Sequence, residues 1–326
     1  VNLPNSILTI NGSVGSDGQV LTSTGSAVAW EDAGGGGGAS EITGLSDALK
    51  ENDSIWLGSS PTASTDTAQY NVAVGVGALD AVTTGDKIVA IGKDAATAVT
   101  TAARTVIIGY EAGKALTTDG GNYSVIIGSE AMATKTDTGG QNVAIGWRSM
   151  TNATTADDCV FVGKDAGYNS TTGIRNVGIG AQAKAGTTAG NTVMVGFNAG
   201  TYTITGHYNV GLGSEVAGAL TSGASNIAIG YEALDDLTTG SRNIMIGHQA
   251  GDGFDAESDN IGIGYAALGG AVAGGEKNLA IGNYSLDATT SGDYNVAVGH
   301  EASSANTTGE YNVALGYNAH LNITGT

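Results

Sequence analysis

"NVAVG" occupies residues 71–75 and returns at 295–299, with NVAIG at 142–146, NVGIG at 176–180, NIAIG at 226–230, NIGIG at 260–264 and NLAIG at 278–282 in between. Relaxed to any residue, then aliphatic, apolar, aliphatic and glycine, the motif occurs 16 times, at intervals of 16 to 19 residues and most often 17. Its glycines run from Gly58, Gly75 and Gly92 to Gly282, Gly299 and Gly316. Three residues after the glycine most units carry alanine, as at Ala78, Ala95, Ala166, Ala233 and Ala302. A polar run follows, often Thr-Thr-Gly, as at 83–85, 171–173, 238–240 and 307–309. A period of 17 is too short for a helix pair, which needs about 33 residues. It suits one coil of a β-solenoid with short strands and tight corners. Val and Ile favour strands, and glycine and Thr-Thr-Gly favour turns. The fold class expected is therefore all-β: a parallel β-roll of about 16 coils, on the order of 75 Å long at about 4.8 Å per coil.

Side chains alternate faces along a strand. With the pentapeptide numbered 1 to 5, positions 2 and 4 share a face and are always Val, Ile or Leu. Position 3 points the other way and is never polar: it is Ala, Gly, or one of Trp56, Ile107, Ile126, Phe161, Met194 and Met245. A strand apolar on both faces is buried on both. We expect positions 2 and 4 to fill the roll. Position 3 then meets another copy of the chain in a homo-oligomer of cyclic symmetry. The expected interface residues are Trp56, Ala73, Ile107, Ile126, Ala144, Phe161, Met194 and Met245. Position 1 is asparagine in ten units, from Asn71 to Asn312. Stacked asparagines form amide ladders along such a rod.

The net charge is −19, with 12 Lys and Arg against 31 Asp and Glu. That balance argues against binding phosphate backbones or anionic lipid. No apolar run reaches the roughly 18 residues that span a bilayer, so no membrane insertion is expected. A single cysteine, Cys159, forbids an intrachain disulfide.

The NVAIG-x-x-A unit resembles the head repeat of trimeric autotransporter adhesins over residues 54–316. That resemblance implies a parallel β-roll with three chains around one axis. The period here is longer, and the extra residues fall in the Thr-Thr-Gly turn. "GSDGQVLTSTGSAVAWEDAGGGGG" (15–38) resembles a segment of tailed-phage fibre and virion structural proteins. "LSDALKENDSIWLGSSPT" (45–62) is similar to the entry into such repeats in cyanophage-like fibres. Together these imply a virion localisation as tail fibre or appendage, with other fibre proteins and a host-surface polysaccharide or protein as partners. A bacterial cell-surface adhesin head that binds matrix or polysaccharide is the alternative.

Residues 1–33 read as a small β attachment unit, with β-like runs at 7–10, 19–22 and 27–30. Residues 34–53 read as a glycine linker (34–38) followed by a short capping helix, because Ile42, Leu45 and Leu49 follow a 3-4 spacing. Residues 54–326 form the repeat roll. "HLNITGT" (320–326) supplies no protected end, and further chain is expected beyond it.

Little in the sequence points to chemistry, and no enzyme activity or cofactor is called for. His207, His248, His300 and His320 lie in different coils without ligand spacing. No nucleophile elbow or phosphate loop is present. Cys159 occupies the asparagine position of CVFVG and reads as a buried thiol, or as a contact between symmetry-related copies. "GDGFDAESDN" (251–260) gathers Asp252, Asp255, Glu257 and Asp259, a candidate calcium turn that does not match an EF-hand loop.

Overall fold

Each pentapeptide contributes a three-residue strand at positions 2 to 4, and every such strand lies on its counterpart in the next coil. The computed structural model describes residues 19–23, 28–32, 48–117, 122–135, 140–270 and 275–320. Strands β1 (Gln19–Ser23) and β2 (Val28–Asp32) form an antiparallel pair. Strand β3 (Ala48–Glu51) pairs antiparallel with β4 (Ser54–Leu57). From β4 through β5 (Val72–Val74) to β19 (Val313–Leu315), 16 strands stack in parallel and in chain order. The register keeps like with like: Val72 faces Val89, Ala73 faces Ala90, and Val74 faces Ile91. Every position of the unit thereby becomes a column along the rod.

The corner glycines make this spacing possible. Gly230 has φ +140°, and a Cβ there would lie 2.2 Å from the carbonyl oxygen of Gly247 in the next coil. Neither the dihedral nor the gap admits a side chain. Beyond the corner, non-glycine residues recur in the left-handed region at fixed places, as at Glu232 and Leu234, both with φ 53°. Each such residue costs about 1–2 kcal/mol. Axial hydrogen bonds hold them there: Glu232 N–H donates to Ser214 in one neighbouring coil, and Leu234 N–H to Ala250 in the other.

The two strand faces are the reverse of those expected. Position 3 points into the roll, and positions 2 and 4 point out. Trp56, Ala73, Ile107, Ile126, Ala144, Phe161, Met194 and Met245 are at most 1% exposed within a single chain. They line the core and offer no surface to a partner. The reason is the width of the coil. Its interior is narrow and is shared by position 3, the alanine three residues after the glycine, and the residue that follows that alanine. Small residues at position 3 fit that space, whereas two ridges of Val and Ile would not.

Bulk in this core is balanced between coils. All three position-3 glycines directly follow a large position-3 residue: Gly178 after Phe161, Gly211 after Met194, Gly262 after Met245. A Cβ at Gly178 would sit 2.4 Å from the Phe161 ring, and one at Gly211 would sit 2.5 Å from the Met194 sulfur. The large side chain leans into the space its neighbour leaves empty. Interiors packed to crystal density require such compensation.

The asparagines tie the coil together from inside. Asn243 Oδ1 accepts the backbone N–H of Asn260 at 3.0 Å. Its Nδ2 donates to the carbonyl of Glu257 at 2.7 Å, across the coil, and to Asn226 Oδ1 at 3.2 Å. The amide ladder expected from the sequence thus forms. The threonine turns stack in a ladder of their own, as where Thr221 Oγ1 donates to the Thr238 carbonyl at 2.9 Å.

The expected capping helix is not formed over 48–51, and no helix occurs among the described residues. Asn52 and Asp53, with φ 48° and 58°, make a two-residue hairpin turn that returns the chain antiparallel along β4. Asparagine and aspartate tolerate that conformation, and this turn type requires it twice in succession. Leu49 lies opposite Trp56 and packs on the core, so a strand covers the first coil. The linker at 34–38 and residues 40–47 lie outside the described residues.

Two predictions follow from the interior. Gly178→Ala should destabilise the rod by about 1–3 kcal/mol through overpacking against Phe161. Combining it with Phe161→Leu should recover part of that loss, read as a non-zero coupling energy in a double-mutant cycle. Asn243→Ala leaves the Asn260 N–H and the Glu257 carbonyl without this partner. It should cost about 3 kcal/mol, measured by denaturant unfolding.

Candidate functional site

With position 3 inside, the outer surface of the strand is set by positions 0, 2 and 4 and by the residue after the glycine. Positions 2 and 4 form two continuous aliphatic columns, half-buried against each other, with Ile179 40% exposed and Leu212 37%. This is the one long apolar face among the described residues. The column at position 0 mixes cations, tyrosines and acids that pair along the rod. Arg242 forks onto Asp259 at 2.5 and 2.8 Å. Lys277 lies over the Tyr294 ring at 4.8 Å and donates to its hydroxyl at 2.9 Å. Tyr294 stacks on Tyr311 with centroids 5.0 Å apart.

The column after the glycine carries a second aromatic ladder. Tyr231, His248 and Tyr265 follow one another at 5.1 and 5.0 Å, Asn283 interrupts the column, and Tyr284 from the next position bridges Tyr265 to His300, which Tyr317 follows. His248 stacks on Tyr265 and His300 on Tyr317, while Tyr284 meets its neighbours edge-on, so this column chiefly reinforces the stack. The hydroxyl of Tyr231 is pushed up to about 12 by Glu232, with burial and Glu215 adding to the effect. The histidines of the sequence are thus ladder members or turn residues; His207 Nδ1 accepts the Gly190 N–H at 3.0 Å.

Lower in the same column the surface changes character. Trp147, Lys164, Ala181 and Phe197 follow one another in successive coils. Lys164 lies 5.1 Å from the centroid of Trp147. Arg148 lies 5.3 Å from Trp147 and 4.3 Å from Tyr168. A cavity of about 250 Å³ opens beside them, lined by Arg148, Asp165, Tyr168, Gln182 and Lys184. Arg148 Nε is 3.5 Å from Asp165 Oδ1, an ion pair too long for a hydrogen bond. That carboxylate oxygen has no hydrogen-bond partner. Sequence reading passed over this cluster because its members are up to 37 residues apart in the chain. Their common signal is the repeat register, which places them within three coils.

The acidic turn does not assemble a cation site. Glu257 Oε2 accepts the backbone N–H groups of Asp255 and Ala256 at 2.6 and 2.9 Å. Asp255 accepts from the Thr238 hydroxyl, and Asp259 is held by Arg242. Asp252 stands apart and is raised by burial and then by Asp236. No cluster of three or more His, Cys, Asp or Glu able to hold a metal occurs among the described residues. Cys159 is buried, with Sγ 3.3 Å from the Gly173 carbonyl, so it cannot meet a symmetry-related cysteine. Burial pushes its thiol up. No described helix is long and apolar enough to cross a membrane.

No protein-family model matches the chain, and no curated protein matches it. Function therefore has to be argued from the surface itself.

Asp235, Asp252 and Asp287 are each raised, chiefly by burial. A carboxyl with a raised folded value binds protons in the fold before it does in the unfolded chain. Stability is then lower above the folded value and recovers as the pH falls. Glu111 and Asp259 are lowered by Lys114 and Arg242 and act oppositely, but both pairs lie at the surface, where solvent screens them. The melting temperature should therefore rise as the pH falls from neutral toward the ordinary carboxylate range, which a pH series of thermal melts checks.

Proposed function

We propose that this chain is the rod of a homotrimeric fibre or appendage of a tailed phage, one that projects and spaces a host-attachment tip. The observation that supports assembly is the outward aliphatic face. It runs on the order of 75 Å and is about 10 Å wide, or on the order of 750 Å². A stable interface buries about 800 Å² per partner. An exposed apolar strip of that length is an aggregation hazard unless it is covered. A face with uniform columns along the rod is best covered by an identical face related by an axis parallel to it, which is cyclic symmetry. The number three rests on the resemblance of the repeat to trimeric adhesin heads.

The mechanical reading also draws support from how the side chains are used. Asparagine, threonine and tyrosine columns spend their hydrogen bonds and ring faces on the next coil. Such a rod transmits load along its axis and needs no catalytic group or cofactor. Virion placement rests on the resemblance of residues 15–38 and 45–62 to fibre proteins. A bacterial surface adhesin head is the second reading, favoured by the repeat motif alone. The flanking reading frame separates them: fibre-tip or virion genes support the first, and a membrane-anchoring β-barrel supports the second.

Assembly itself is tested at positions that leave the core intact. Ile229→Glu with Ile246→Glu places two like charges on the outward face. The circular dichroism of the β-roll should persist while sedimentation falls from three chains to one. A trimer unchanged by both substitutions would contradict the proposed interface.

A further inference from the structure

The basic cluster around Trp147 stands out against the rest of the rod. Elsewhere several cations sit against a carboxylate one coil away or nearer: Lys114 with Glu111, Arg242 with Asp259, Lys277 with Glu276. Here Arg148, Lys164 and Lys184 converge within three coils, in a chain whose net charge is −19. They face Asp165 and, one coil below, Glu130, so cations remain in surplus. Lys184 Nζ is bound to the Thr201 carbonyl at 2.8 Å, which fixes its position without neutralising it.

Apolar surface accompanies this charge. Trp147 is 45% exposed and Phe197 is 51% exposed. Ala181, between Lys164 and Phe197 in the column, leaves one coil's height unfilled. Gln182 adds an exposed amide with both donors and an acceptor. A ligand for this notch needs an anionic group for the cations, an apolar ring face for the aromatics and hydroxyls for Gln182 and Asp165. Arg148 is held by Tyr168 and stands 3.5 Å from Asp165, beyond hydrogen-bond length, so its guanidinium can still turn N–H groups to a ligand carboxylate. The cavity of about 250 Å³ is smaller than a typical drug-sized site, and suits a single sugar ring. The acidic surface around it repels a polyanion.

We propose that the notch of Trp147, Arg148, Lys164, Tyr168, Gln182 and Lys184 binds one acidic sugar, a pyranose bearing a single carboxylate, carried on an otherwise neutral glycan. The inference deepens the attachment role proposed for the rod and rests on that reading, but it does not depend on the number of chains.

The test titrates the assembled full chain with lactose capped by glucuronic, galacturonic or N-acetylneuraminic acid, with uncapped lactose as the neutral control. Calorimetry and tryptophan fluorescence are the readouts. At least one capped glycan should bind saturably, and lactose about tenfold more weakly or not at all. Arg148→Gln and Trp147→Ala, both on the surface, should each weaken that binding about tenfold while leaving the melting temperature unchanged. The notch is rejected if none of the three capped glycans binds. It is equally rejected if lactose binds as well as they do, or if both variants bind like wild type. Sedimentation of the same sample separates the two proposals. A trimer that binds no capped glycan overturns the notch alone, and a monomer that binds one overturns the assembly alone.

Discussion

Axial backbone hydrogen bonds, repeated from coil to coil, are the interaction on which the rest of this molecule depends. Val72 N–H reaches the carbonyl of Ile88, Val89 N–H reaches that of Thr105, and Gly92 N–H turns back to Val74. These bonds hold only while successive coils keep one register and lie within strand spacing of each other. The corner glycines follow from that demand, because the next coil's carbonyl already occupies the place of their Cβ. The left-handed residues beyond each corner follow as well, since their N–H groups point alternately to the coil on either side.

A register shared by all coils turns each position into a column, and a column rewards residues that interact with their own kind. Asparagine at position 1 offers an acceptor to one neighbour and a donor to the other. Threonine at the turn reaches the next threonine's carbonyl. Tyrosine and histidine after the glycine stack on each other. Two kinds of surface among the described residues stand apart from these ladders. One is the aliphatic face of positions 2 and 4, and the other is the basic, aromatic notch at Trp147. The first is long and uniform, as contact between copies requires. The second is local and chemically mixed, as ligand recognition requires.

Much of this was legible in the sequence. The spacing of Gly58 to Gly316 identified a parallel roll, and the run of asparagines identified an amide ladder along it. The faces were not legible, because both sides of the strand are apolar and alternation alone cannot say which is inside. Side-chain size held the answer: Ala73, Ala90 and Gly178 fit a narrow interior, and the pairing of Gly178 with Phe161 shows that volume was limiting. The hairpin at Asn52-Asp53 was hidden by the helical spacing of Ile42, Leu45 and Leu49, too short to outweigh two residues suited to positive φ. The notch escaped notice because its residues converge only when the coils are stacked.

The central claim is that position 3 faces the core and positions 2 and 4 face another copy of the chain. Single cysteines in a Cys159→Ser background test it most directly. Near a symmetry axis, a residue on the outward face lies close to the same residue of its partners. Under mild oxidation, Ile244→Cys or Ile246→Cys should give chains cross-linked at that residue, while Met245→Cys should remain a free, protected thiol. Cross-linking at Met245→Cys with protection at its two neighbours would reverse the faces. No cross-linking at any of the three would remove the outward face as the place where chains meet.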